Sequence, residues 1–264
     1  MPSAINKVVL IIGATSGIGE GLTRRIHAQG KKVIAAGRRE DRLRLLEKEL
    51  PGLCTVCLDI SDIGNLPTVL STILQDHPDL DTVIVSAGIQ SYFSIKEGHL
   101  SSPSKIQSEF DINLTGPTVL SHLLIPHFLQ REDDNNPSTI CFIGSGLAFV
   151  PLPLMPIYCA SKAGLHSLCV SLRAELDGTH VNIVEICPPY VETELDKSFR
   201  DEMIARLGGP EKAPKPMSVS QFLDNAMEGL LVGRSEIGVG FGQAAFDTWR
   251  KAFSPFLERF HVNG

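Results

Sequence analysis

The sequence predicts an α/β fold, a single-domain, Rossmann-type doubly wound parallel sheet with helices on both faces. Three features point that way. Short runs that are apolar at every position alternate with stretches whose apolar residues recur at helical spacing. The first run ends in a glycine-rich turn, and no linker or internal repeat divides the 264 residues. A strand covered on both faces is apolar throughout rather than alternately. Strands alternating with helices favour parallel pairing through right-handed crossovers.

Strands are expected at Val8–Ile12, Val33–Ala36, Thr55–Leu58, Thr82–Val85, Thr139–Ile143 and Val181–Ile186. Helical patterns lie between them. Arg42–Leu50 places Leu43, Leu46 and Leu50 on one face; Leu114–Leu129 is apolar over most of its surface; Tyr158–Leu176 is a third. Two segments break the rhythm. Pro188–Met217 is polar, contains Gly208-Gly209-Pro210, and reads as a long substrate loop or lid with short helical turns. In the tail from Ala244, Phe246, Trp249, Phe253, Phe256 and Phe260 fall at roughly helical spacing. This predicts a packing helix broken at Pro255, with a membrane-surface helix, a dimer contact or a pocket wall as alternatives.

Composition narrows the function classes. With 43% hydrophobic and 20% charged residues the chain can bury an ordinary core without a disulfide or metal staple. A net charge of -6 argues against a nucleic-acid partner, whose footprint is a basic face. The longest apolar run, Leu147–Ile157, carries Pro151, Pro153 and Pro156 and falls well short of the ~20 residues that span a bilayer. Met1–Lys7 lacks the apolar segment of a signal peptide, so the expected location is cytoplasmic. The 6 cysteines then read as free thiols. Cys54 and Cys57 have C-x-x-C spacing, but a strand puts them on opposite faces. No His/Cys spacing fits a metal, and the Asn113-Leu114-Thr115 sequon is accidental in that compartment.

The turn Gly13-Ala14-Thr15-Ser16-Gly17-Ile18-Gly19 joins the first strand to a helix-like stretch. Glycines let backbone N–H groups approach a pyrophosphate, and the helix N-terminus favours its charge. An NAD site places an acid after the second strand to bind the ribose 2′-hydroxyl; here Gly37-Arg38-Arg39 stands instead. A guanidinium pairs with a 2′-phosphate, so the expected cofactor is NADP(H), with Arg39 alternatively a solvated surface charge. Asp59 can accept from the adenine amino group. Tyr158 and Lys162 share a helix face at i and i+4, where an ammonium would lower the tyrosine's pKa. Ser145 can bond the same substrate oxygen, and the Asn113 amide can bridge backbone and water toward Lys162.

These residues together resemble the short-chain dehydrogenase/reductase family, from Lys7 to about Thr193. The resemblance rests on the Gly13/Gly17/Gly19 turn, Asp59, Ala87-Gly88, Asn113, Ser145, Tyr158/Lys162 and Pro188 through Thr193. Within the family the Ser145–Pro151 and Pro188–Thr193 segments are similar to the DltE-like oxidoreductase branch. The resemblance implies that Tyr158 is the general acid in reduction and the general base in oxidation. It also implies that Lys162 binds the nicotinamide ribose, Ser145 orients the carbonyl and Asn113 supports a proton relay. Ile18, Val191 and Thr193 would contact the nicotinamide half, with Pro188 beside them. Ile12, Val85-Ser86 and Pro189 depart from the family pattern. The expected activity is an NADP(H)-dependent carbonyl reductase or alcohol dehydrogenase acting on a hydrophobic or mixed-polarity small molecule, in a homodimer or homotetramer. The alternatives are a non-redox epimerase or cyclisation catalyst and a turnover-deficient cofactor sensor. The first uses the same groups without net redox; the intact Ser145/Tyr158/Lys162 set argues against the second, because binding alone does not require all three.

Overall fold

A computed structural model describes residues 3–98, 100–131 and 137–260. Seven strands form one parallel sheet in the order β3-β2-β1-β4-β5-β6-β7: β1 (Val8–Ile12), β2 (Lys32–Gly37), β3 (Cys54–Cys57), β4 (Thr82–Val85), β5 (Ser138–Ile143), β6 (Val181–Cys187) and β7 (Glu236–Gly238). The order reverses at β1, which pairs with β2 on one side and β4 on the other. A crevice opens at the carboxyl ends of the strands at such a switch point.

The continuous apolar runs are explained by packing on both faces. Val9 and Ile11 of β1 join one core cluster with Leu22 and Ile26 of α1 (Gly17–Ala28), Leu43 and Leu46 of α2 (Glu40–Glu49), and Phe222 and Leu223. Val8, Leu10 and Ile12 join the opposite cluster. That one contains Leu66 and Leu70 of α3 (Leu66–Asp76), Leu120, Leu124 and Phe128 of α5 (Gly116–Leu129), and Leu165 of α6 (Pro156–Glu175). The doubly wound expectation is met, and the six expected strands are present within a residue or two at their ends.

Several elements carried no sequence signal or the wrong one. β7 is only 3 residues long, too short for a period to register. α3, α4 (Pro103–Phe110) and α8 (Val219–Leu231) were not anticipated. The expected helix from Leu114 begins instead as a π-helical turn over Asp111–Thr115, and α5 starts at Gly116. The Pro188–Met217 excursion is a loop carrying one short helix, α7 (Arg200–Arg206), and is closed at its base by a bridge between Val191 and Met217. The tail forms α9 (Phe241–Leu257), which runs through Pro255 rather than breaking there. Only two residues follow Pro255 in the helix, so the lost N–H bond falls in a turn that is ending anyway. Residues 261–264 of the tail lie outside the described residues. Among the described residues no helix is long and apolar enough to cross a membrane.

Candidate active site

A cleft of about 820 Å³ opens along the carboxyl ends of the strands. It is lined at one end by Gly13, Thr15, Ser16, Gly17, Ile18, Arg38, Arg39 and Asp59, and at the other by Ser145, Tyr158 and Lys162. Ala87, Gly88, Pro188, Val191 and Thr193 line the stretch between. Of the residues singled out in the sequence, Gly19 and Asn113 do not reach the wall; both act from behind it.

The glycine turn is a close backbone packing. Gly13 has φ +88°, and a Cβ on Gly19 would stand 2.2 Å from the Gly13 carbonyl oxygen. Ser16, the residue before α1, makes no side-chain cap, so the helix's first N–H groups have no side-chain acceptor there. A pyrophosphate fits that cradle chemically, since it brings acceptors to orphan donors at a helix N-terminus. Arg38 and Arg39 diverge. Arg38 is half exposed and stands 3.5 Å from Asp59, which also accepts from the Ser61 hydroxyl at 2.6 Å. Arg39 is fixed: its Nε donates to Thr15 Oγ1 at 3.0 Å and its Nη2 to Ser16 Oγ at 2.5 Å. The guanidinium bound to the turn is therefore Arg39, the one whose alternative was a free surface charge.

At the other end, α6 presents Tyr158 and Lys162 one turn apart, both buried. Lys162 Nζ donates to the Ile143 carbonyl at 2.7 Å, at the end of β5, and sits 5.7 Å from the Tyr158 ring centroid. Ser145 lies two residues past that carbonyl, and its Oγ accepts from Leu147 N–H at 3.1 Å. The expected lowering of the Tyr158 pKa does not appear in the net balance. Burial pushes the phenol well above its ordinary range, opposed by a hydrogen bond with Ser145. Burial likewise pushes the Lys162 ammonium down to about 8, with Glu185 acting against it. In an apolar wall, desolvation shifts both groups toward their neutral forms.

Asn113 makes the backbone contacts expected of it. It lies in the π-helical turn, fully buried, with Nδ2 donating to the Ile89 carbonyl at 2.9 Å and to Ser161 Oγ at 3.1 Å, while Oδ1 accepts from Ile89 N–H at 2.9 Å. Its amide ties the segment after β4 to α6. It holds the two walls together behind Gly88.

The match between this geometry and known proteins is broad. A family model described as short chain dehydrogenase matches residues 7–204. The chain belongs to the short-chain dehydrogenase family. It is 33% identical over 232 residues to the uncharacterized oxidoreductase DltE of Bacillus subtilis, covering 88% of this chain and 87% of that protein. Among solved structures, a short-chain dehydrogenase from Sphingobium yanoikuyae in complex with NADPH aligns with a TM-score of 0.76 at 24% identity, over 95% of each chain. One from Burkholderia phymatum in complex with NAD aligns at 0.79 with 20% identity, over 100% of this chain and 98% of that one. This chain is thus a short-chain dehydrogenase/reductase oxidoreductase.

In this short-chain dehydrogenase three charged groups near the site went unnoticed in the sequence. Arg42, one turn after Arg39, reaches the Thr15 carbonyl at 3.2 Å, and Glu194 bridges both arginines. Glu185 lies fully buried in β6 and accepts from His166 Nδ1 at 2.8 Å. A Cβ on Gly144, between Ile143 and Ser145, would stand 2.5 Å from its Oε1. The signal for Glu185 was present: a lone carboxylate inside Val181–Cys187 demands a partner. His166 sits one turn beyond Lys162 on α6.

Proposed function

We propose that this chain is an NADP(H)-dependent oxidoreductase that interconverts a carbonyl and an alcohol on a hydrophobic or mixed-polarity small molecule. The observation that carries this reading is the convergence of Ser145, Tyr158 and Lys162 in one cleft whose far end holds Arg39 against the glycine turn. The substrate wall is apolar, with Leu147, Leu152, Met155, Met203 and Leu207 around the reacting groups.

Each side chain has a part. Ser145 Oγ accepts from Leu147 N–H, which leaves its own O–H available to donate to a substrate carbonyl oxygen. Tyr158 keeps its proton until that oxygen gathers charge, then gives it up as general acid; in oxidation it takes the proton back. Lys162, anchored on Ile143, binds the nicotinamide ribose and stabilises the phenolate. Gly13, Thr15, Ser16, Gly17 and Gly19 would shape the pyrophosphate cradle. Arg38 and Asp59 would border the adenine, Ala87 and Gly88 the middle of the dinucleotide, and Ile18, Pro188, Val191 and Thr193 the nicotinamide half. Bound there, the nicotinamide supplies or accepts a hydride at C4. All 6 cysteines are unpaired, which supports a reducing, cytoplasmic setting. A homodimer or homotetramer is what the family resemblance implies, although the apolar residues of α5 pack inside this chain.

The test is a titration with NADPH and NADH followed by nicotinamide fluorescence. Wild type is expected to bind NADPH more tightly, and Arg39→Asp to lose that preference by about tenfold or more, as expected for a charge-assisted bond replaced by repulsion. Arg38→Asp is expected to have the smaller effect. Equal affinity for the two cofactors in wild type would sink the NADP assignment.

A further inference from the structure

We infer that Glu194 weakens the NADPH preference of this site, as an internal carboxylate seated on the guanidinium pair that a 2′-phosphate would need. This rests on the NADP(H) reading above and adds a residue to it. Arg42 grips the carboxylate with both ends of its fork, Nη1 to Oε2 at 2.8 Å and Nη2 to Oε1 at 2.9 Å. Arg39 Nη1 adds a third contact to Oε2 at 3.1 Å. The same two arginines touch the glycine turn at Thr15 and Ser16, so the carboxylate sits at the adenosine end of the cleft.

Glu194 arrives there from the far side of the sequence, on the loop that follows β6. That loop is pinned on both sides of it. Upstream is the Val191–Met217 bridge; downstream, Arg200 bonds the Thr193 carbonyl at 2.7 Å and the Asp196 carboxylate at 2.6 Å. The carboxylate is therefore delivered by backbone structure, not by a wandering side chain. The paired guanidiniums, Arg42 foremost, hold its carboxyl down to about 2, so it stays ionised throughout the working range and cannot be removed by protonation.

The consequence is a competition. A phosphate and a carboxylate cannot share one guanidinium pair without like-charge repulsion, so a cofactor with a 2′-phosphate must first displace Glu194. A cofactor with a free 2′-hydroxyl leaves it in place. The bridge is about half exposed on both partners, which limits its strength to that of a surface pair. Glu194 thus narrows the margin by which Arg39 and Arg42 favour NADPH, without abolishing it.

The experiment compares wild type with Glu194→Gln and Glu194→Ala, using NADPH, NADH and the fragments adenosine 2′,5′-bisphosphate and 5′-AMP, by calorimetry or fluorescence. The fragments report the adenosine end alone and need no turnover. Both variants are expected to bind NADPH and the bisphosphate about two- to fivefold more tightly than wild type, with NADH and 5′-AMP changed less than that. The gain is expected to shrink as salt is raised, since the displaced pair is exposed. Weaker NADPH binding in the variants would overturn the inference, and so would equal gains for NADPH and NADH; NADPH binding by wild type would keep the cofactor reading intact in either case. Failure of wild type to bind either dinucleotide would overturn both.

Discussion

Replacing Tyr158 with Phe is expected to lower kcat/KM for carbonyl reduction by about 100- to 10,000-fold, the range a positioned general acid contributes. Affinity for NADPH is expected to stay within about twofold. The phenyl ring keeps its buried place on α6, and only the hydroxyl beside Ser145 is lost. Retained turnover in this variant would remove Tyr158 from the proton step. The pH profile of kcat/KM in wild type separates the two titrating groups. Burial holds the Tyr158 proton on well into alkaline solution, so the acid form needed for reduction is present at neutral pH. Lys162 titrates at about 8, so its ammonium is charged below that pH and lost above it. The alkaline limb is therefore expected near pH 8 and belongs to Lys162. The same shift acts on stability. An unfolded lysine takes up its proton near 10.5, whereas the folded one resists until about 8. Lys162 therefore lowers stability progressively as pH falls from 10.5 to 8, and by a constant amount below that, about 3 kcal/mol in all. A profile flat to pH 9.5 would contradict this.

The parts of the site visible in the sequence are those built from contiguous backbone. The Gly13–Gly19 turn and the Tyr158/Lys162 spacing are local patterns, and the fold keeps them local. Ser145 follows a strand whose end was legible, so its place in the cleft came with the sheet. What sequence cannot show is which distant chain returns to which element. Glu194 meets Arg39 and Arg42 because the loop after β6 crosses back over the first βα unit, a contact between segments about 150 residues apart. Residue spacing shows the ammonium one turn from Tyr158 but not the burial that raises the phenol's pKa. The π-helical turn at Asp111–Thr115 was also hidden, and with it the particular partners of Asn113, Ile89 and Ser161. Arg39 precedes α2 as its N-cap and Arg42 lies in its first turn, a closeness in sequence that spacing alone could have supplied.

Truncating Glu185 is expected to have the largest effect on stability of any single side chain near the site. The carboxylate is fully buried, accepts from His166 Nδ1 at 2.8 Å and faces the Arg173 guanidinium at 3.6 Å. Glu185→Ala leaves His166 Nδ1 without that acceptor and leaves Arg173 only Glu236, at 2.7 Å, which Arg250 already shares at 2.6 Å. Removing one partner of a buried charge cluster costs about 3–5 kcal/mol. For a chain of this size that corresponds to a fall in Tm of roughly 6–20 °C. Glu185→Gln keeps the shape and one acceptor oxygen, so it is expected to cost less and to fold. It is the informative variant, because Glu185 also raises the pKa of Lys162. Without that charge the ammonium is lost at lower pH, and the alkaline limb of kcat/KM is expected to move below its wild-type position. Melting curves within a degree of wild type, together with an unmoved limb in Glu185→Gln, would mean that Glu185 neither holds the β6–α6 contact together nor tunes Lys162. A lower Tm with an unmoved limb would leave Glu185 a packing role only.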